Sequence, residues 1–206
     1  KRRFFFPHMK KIAALTGGIA TGKSTIARMF QACGAHLIDA DVVARQIVAP
    51  GQPAWREIVA HFGQEILRET GELDRKQLGA IIFQYPEERE VLNQITHPCV
   101  IEDIRREEAR LHSRSPEKLI IVDVPLLIET GMHTDYPAVI LAYLPEAAQL
   151  RRLMERDQLS EADARRRIQA QMPIEEKLRC ATHVVNNAGS LEETFRQAQA
   201  IYAALS

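Results

Sequence analysis

The chemistry of this chain concentrates in eight consecutive residues, Gly17-Gly18-Ile19-Ala20-Thr21-Gly22-Lys23-Ser24, which match the pattern G-x-x-x-x-G-K-[ST] and are followed by Thr25. Gly17 and Gly22 open backbone conformations closed to residues with a Cβ, so successive N–H groups can turn inward on phosphate oxygens. A helix opening near Ser24 adds the positive end of its dipole. Lys23 brings a mobile charge to the outer phosphates, and the Ser24 hydroxyl can ligate Mg²⁺. The expected nucleotide-holding set is Gly18, Ala20, Thr21, Gly22, Lys23, Ser24 and Thr25. Glycine-rich turns with a surface lysine also match the pattern. What distinguishes this one is an apolar strand over 12–16 before it and an amphipathic helix over 24–33 after it.

Acidic residues are the natural complement to such a loop. Asp39-Ala40-Asp41 closes a second apolar segment, 36–39, and reacting groups of open parallel sheets gather beyond the carboxyl ends of strands. Side chains alternate along a strand, so Asp39 and Asp41 share a face only if the strand continues to Asp41. Otherwise Asp41 caps a helix over 42–48. As a functional group, Asp41 either deprotonates an acceptor hydroxyl or helps to position Mg²⁺. General-base help of this kind is worth about 10²–10⁴-fold, second to positioning and charge stabilisation. Asp123 closes another apolar run, as a metal-site carboxylate does. The segment that follows it, Val124-Pro125-Leu126-Leu127, lacks the Glu that often activates water in ATPases. Three arrangements of the metal stay open: Ser24 with water alone, Asp41, or Asp123.

These groups need a frame. Five short apolar segments, 12–16, 36–39, 119–124, 139–144 and 183–185, are continuous rather than alternating, as strands covered on both faces are. Helical patterns separate them, including 191–205, so the expected fold is α/β, a parallel five-stranded sheet with helices on both faces. Two stretches exceed a minimal alternating sheet. Residues 42–117 hold far more chain than one crossover helix needs. They read as several helices: 55–67, closed by a turn at 72–74; 75–84, capped by Asp74; and a long pattern from Glu87, interrupted at His97-Pro98. Residues 146–172 read as a helical hairpin whose second helix opens at Ser160-Glu-Ala-Asp163, and arginines crowd it. The expected organisation is a nucleotide-binding core (9–41, 118–145 and 173–206), a helical acceptor-binding insertion (42–117) and a lid (146–172). Such inserts suit a kinase, because water competes with the acceptor for the γ-phosphoryl group and must be kept out.

Composition narrows the class further. The 27 Lys and Arg balance 27 Asp and Glu, so there is no global field for nucleic acid or an anionic membrane. Arginines inside helices suit polyphosphate ligands better. The cysteines Cys33, Cys99 and Cys180 stand far apart with no C-x-x-C, which fits a reducing cytoplasm better than a disulfide framework. No apolar run approaches the roughly 20 residues of a membrane span. Residues 1–8 carry too few apolar residues for a secretion signal and are read as a leader or cloning remnant. Guanine-specific switches usually add N-K-x-D, which is missing from this sequence.

In combination, Leu15-Thr-Gly-Gly-Ile19, Gly22-Lys-Ser24, Ile38-Asp-Ala-Asp41, Ala44-Arg45, His97-Pro98, Asp123-Val-Pro-Leu-Leu127 and Arg156-Asp157 resemble the dephospho-CoA kinase family, in order and spacing, from about residue 11 to 187. The resemblance implies ATP-dependent phosphorylation of the ribose 3′-hydroxyl of dephospho-CoA, giving CoA and ADP, with Mg²⁺ as cofactor. It implies that residues 20–25 hold ATP, that Asp41 is the base, and that Arg45, His97 and Leu126 line the acceptor site. Arg152 and Arg156, four residues apart, share a helix face, and the resemblance implies that both reach the transferring phosphoryl group. For single arginines, pairing with Glu155, Glu161 or Asp163 is the competing role; for His97 it is a buried core position at a helix break. Two departures stand out. Ala20-Thr21 replaces a frequent Gly-Ser, and Val185-Asn186-Asn187 replaces Ile-Asp-Asn.

Overall fold

The computed structural model describes residues 11–206, so the expected leader, 1–8, lies outside the described residues. Five strands form one parallel sheet in the order β2-β3-β1-β4-β5. They are β1 (Ile12–Gly17), β2 (His36–Asp39), β3 (Ile120–Asp123), β4 (Val139–Tyr143) and β5 (His183–Asn186), each within one residue of its expected ends. The central strands are apolar along their whole length because both their faces are covered. Ala13, Leu15, Ile121 and Ile140 pack with Ile26 and Phe30 of α1 (Lys23–Ala32) and Ala198 of α9 (Leu191–Leu205). Register then sets what lies at the carboxyl edge. Leu15 pairs with Asp123 and Gly17 with Ala142, so β1 gives way to the glycine-rich loop beside the end of β3 and against β4.

Contacts divide the chain into two compact units, one of residues up to Ile38 with Arg110–Ser206, the other Asp39–Ala109. The second unit holds α2 (Ala40–Gln46), α3 (Pro53–Phe62), α4 (Arg75–Gln84) and most of α5 (Pro86–Arg114). It has a core of its own, built from Ile58, Phe62, Ile66 and Leu78 with Leu92 and Ile95 against them. Asp74 caps α4 as expected, accepting from the amides of Lys76 and Gln77.

Three expectations for this unit are corrected. The cap of α2 is Asp39, whose carboxylate accepts from the amides of Asp41 and Val42; Asp41 itself lies inside the first turn. Helix α3 stops at Gly63 (φ 86°), well short of residue 67. A 3-10 turn over Gln64–Ile66 follows, and Leu67 then bridges Leu73 while Trp55 Nε1 donates to the Gly71 carbonyl at 3.0 Å. Finally, α5 runs unbroken through Pro98. The missing N–H and ring clash of an interior proline cost about 3 kcal/mol. Burial of Leu92 and Ile95 before it and of Ile104 and Leu111 after it offsets that cost, so the helix continues.

In the first unit, α6 (Glu146–Asp157) and α7 (Glu161–Gln169) are the expected hairpin, with Ser160 accepting from the Asp163 amide. Asp157 ties the two helices together, paired with Arg156 at 2.7 Å and Arg167 at 3.0 Å. A short helix, α8 (Ile174–Cys180), follows and was not expected from the sequence. Among the described residues no helix is long and apolar enough to cross a membrane. A complete capping box opens α9, where Ser190 and Glu193 satisfy each other's amides. Ser190→Ala should lower stability by about 1 kcal/mol, a fall of about 2–4 °C in Tm for a domain of this size. The bond from the Ser190 amide holds the Glu193 carboxyl below its ordinary value. Its stabilisation is therefore complete above the usual Glu range and disappears as pH falls through the lowered value. Thermal melts of wild type and Glu193→Ala should converge at acid pH.

Candidate active site

Between β1 and α1 the backbone is held by carbonyls tied into the protein, while several amides stay open. The carbonyls of Gly17, Gly18, Thr21 and Gly22 all accept hydrogen bonds from within the protein. Their donors are the Lys177 ammonium (3.1 Å), the Thr21 hydroxyl (2.8 Å), Asn187 Nδ2 (2.8 Å) and the Thr25 amide (2.9 Å), respectively. No hydrogen bond among the described residues uses the amides of Ala20, Gly22, Lys23 or Ser24. A run of unpaired N–H groups at a helix start is an anion-binding concavity.

Gly22 does what was expected of it: its φ is 84°, and a Cβ there would lie 2.1 Å from Asn187 Nδ2. For Gly17 the expectation is corrected. Its backbone is not left-handed; the constraint is closeness, since a Cβ would fall 2.7 Å from Thr21 Oγ1 and 3.1 Å from Ala142 Cβ. The left-handed residue is instead Ala20 (φ 59°), a conformation costing an alanine roughly 1–2 kcal/mol. Gly18 is held close to Gln149, whose Oε1 would be 2.8 Å from a Cβ. Thr21, fully buried, is a brace inside the loop rather than an exposed contact.

Charge is arranged around this loop. Lys23 forms an ion pair with Asp123, a carboxylate only 5% exposed at the end of β3. The lysine expected to be mobile is thus parked on the acid expected to serve a metal. Ser24 is exposed, and its hydroxyl has no hydrogen bond among the described residues; Thr25 is half-buried behind it. Leu126, in the turn after β3, is 45% exposed. From the hairpin, Arg152 reaches the site: it donates to the Asn187 carbonyl at 2.9 Å, and its Nη1 would be 3.9 Å from a Cβ on Gly22. Arg156 is held differently, clamped by the Asp157 carboxylate, whose pKa it lowers. Arg165 and Arg166 pair with Glu161 and Asp163, two of the acids expected as competing partners for Arg152 and Arg156.

The second unit carries Asp41, Arg45 and His97. Asp41 is exposed, and its carboxylate has no hydrogen bond or ion pair among the described residues, because Asp39 has taken the capping role. Arg45 lies one helical turn further along α2 and is exposed. It lines a cavity of about 250 Å³ with Arg68, Arg75 and Leu73. His97 is exposed on α5, which corrects the alternative of a core histidine.

Several residues at the loop escaped the sequence reading. Asn187 braces Thr21 and is itself fixed by the Thr194 hydroxyl at 3.1 Å. Lys177 is fully buried, Gln171 Oε1 accepts from the Ile19 amide at 2.8 Å, and Gln149 is 2% exposed. For Asn187 a signal existed, since it follows the carboxyl end of a strand. Lys177 stands three residues after buried Ile174 on a helix, a charged residue in an apolar position.

Comparison with known proteins fits this arrangement. The family model described as dephospho-CoA kinase matches residues 11–193. A dephospho-CoA kinase of Geobacillus kaustophilus is 49% identical over 91% of this chain and 92% of its own. One of Halalkalibacterium halodurans is 47% identical over 89% and 90%. Among solved structures, the dephospho-CoA kinase from Campylobacter jejuni superposes with a TM-score of 0.73 at 30% identity, covering 95% of this chain and 97% of its own. A Thermus thermophilus protein reaches 0.79 at 33% identity with the same coverage. With a strand-loop-helix phosphate cradle, an all-parallel sheet and near full-length similarity, the chain belongs to the dephospho-CoA kinase family.

Proposed function

We propose that this chain moves the γ-phosphoryl group of ATP onto the ribose 3′-hydroxyl of dephospho-CoA, releasing CoA and ADP. The observation that carries the reading is the set of unpaired amides at Ala20, Gly22, Lys23 and Ser24 beside an exposed hydroxyl and a lysine. In the reaction the acceptor oxygen bonds to phosphorus, the bond to the β-phosphate bridging oxygen breaks, and the hydroxyl proton leaves to a base. Phosphoryl transfer is catalysed chiefly by positioning and by neutralising charge on the phosphate oxygens. The amides and Lys23 supply that for the nucleotide; Lys23 exchanges Asp123 for a phosphate oxygen. Arg152, already beside Gly22, adds charge from the hairpin, and Arg156 joins once freed from Asp157.

Asp41 is the proposed base, with its carboxylate left open by the Asp39 cap. Arg45, His97 and Leu126 are assigned to the acceptor, the insertion 42–117 to acceptor binding and 146–172 to the lid. Mg²⁺ fits the donor set, since the unbonded Ser24 hydroxyl is a hard oxygen ligand and Mg²⁺ takes few protein ligands beside phosphate and water. Once bound, the ion would neutralise charge between the outer phosphates. Asp123, occupied by Lys23, is placed to act through water or after the lysine has moved. A reducing cytoplasm is the proposed compartment, in keeping with three free thiols.

Mass spectrometry of a reaction with ATP and dephospho-CoA should find one added phosphate, and turnover with AMP, CMP, UMP or shikimate should be far slower. Faster turnover of any of these would overturn the acceptor assignment. Asp41→Asn should reduce kcat by about 10²-fold or more with ATP affinity nearly unchanged; near-normal kcat would remove Asp41 from the base role. Lys23→Ala should cut turnover by about 10²-fold or more and also lower Tm, because it strips the cation from a buried carboxylate. Adding Asp123→Asn should return the Tm without returning the turnover, as calorimetry and steady-state kinetics would read.

A further inference from the structure

Lys177 is the one cation among the described residues that is wholly buried, and it lies outside the motif. Its ammonium donates to the Gly17 carbonyl at 3.1 Å and pairs with Glu129 Oε1 at 2.6 Å. The same Glu129 oxygen accepts from the Met172 amide at 3.3 Å. One residue earlier, Gln171 Oε1 accepts from the Ile19 amide at 2.8 Å. Four segments therefore meet at one polar node: the start of the phosphate loop, the turn after β3, the exit from the α6–α7 hairpin, and α8, which carries Lys177.

A purely structural reading explains this node badly. Burying an ammonium costs more than burying an apolar side chain of the same volume, and replacing both members of a buried ion pair by apolar side chains is often neutral or stabilising. The geometry gives the charge another use. Peptide planes are trans, so the C=O and N–H of one peptide point in opposite directions. Lys177 fixes the Gly17 carbonyl, and Gln171 with Thr21 fixes both ends of the Gly18–Ile19 peptide. The two peptides entering the loop are thus locked in orientation just before the amides of Ala20 and Gly22, which have no partner of their own.

We propose that Lys177 and Gln171 are positioning residues, a latch by which the exit of the hairpin sets the orientation of the phosphate loop and couples nucleotide binding to the hairpin's position. The proposal rests on the ATP-binding reading above, but its test does not use the acceptor. Lys177→Met preserves length and removes the charge; Gln171→Met removes the acceptor for Ile19. ATP affinity of the full chain would be measured by titration calorimetry, alongside Tm. Hydrogen exchange over 146–172 would be followed with and without ATP.

The expected result is a loss of about tenfold or more in ATP affinity for Lys177→Met and a smaller loss for Gln171→Met; Tm should also fall for Lys177→Met, because Glu129 and the Gly17 carbonyl lose their donor. ATP-dependent protection of the hairpin should be lost with it, and Lys177→Arg, which can still donate to Gly17, should recover most of the affinity. Wild-type ATP affinity in Lys177→Met, or a fall in Tm with affinity and protection unchanged, would overturn the latch. Should Lys177→Met fail to fold, Gln171→Met decides alone: unchanged affinity and unchanged protection would overturn the proposal. A wild type that binds ATP yet leaves dephospho-CoA untouched would instead count against the proposed acceptor and leave the latch standing.

Discussion

Four carbonyls turned into the protein and four amides left without partners define the loop between β1 and α1. A buried backbone group left unbonded is costly, so native structures pair almost all of them. Here four positions near the helix start, Ala20, Gly22, Lys23 and Ser24, keep amides open, and such a patch of open amides at a helix start suits an anion. Everything nearby serves to maintain it. Thr21 closes the turn from inside, Asn187 holds its far shoulder, and the buried lysine of α8 holds its beginning.

Charge around the patch is stored in pairs rather than left free. Lys23 rests on Asp123, Arg156 on Asp157, and Lys177 on Glu129. Their settings differ. Arg156 is exposed, so its pairing is screened and inexpensive to break. Lys23 and Asp123 are largely shielded from solvent, and separating them needs a compensating anion. A triphosphate is such an anion, which makes the pair a built-in match to the proposed ligand. Lys177, with no exposure at all, is placed to stay where it is. In each case accessibility decides whether the cation can move or serves as a fixture.

The two units are legible in the sequence to different degrees. For the sheet, continuous Val, Ile and Leu runs have one physical solution, burial on both faces, and all five strands lie within a residue of expectation. For Asp39-Ala40-Asp41, local rules allow either acid to cap the following helix. Which one does so depends on where β2 ends, and that depends on its place in the sheet. Pro98 went against expectation for a related reason: local chemistry argues for a break, while burial of apolar side chains on both sides of it carries α5 through.

The amino-acid order by itself determined the phosphate loop, its flanking strand and helix, the parallel class of the sheet and the family resemblance, because each rests on short local patterns or on their order along the chain. Only the tertiary structure decided which groups keep that loop in shape. Gln149, Gln171, Lys177 and Asn187 come from chain more than a hundred residues away, and the contacts that make them matter do not exist until the sheet is assembled. Burial likewise decided that the first glycine is required for closeness and not for a left-handed turn. Spacing along the chain records local geometry; which distant side chain fills the remaining space is settled by packing.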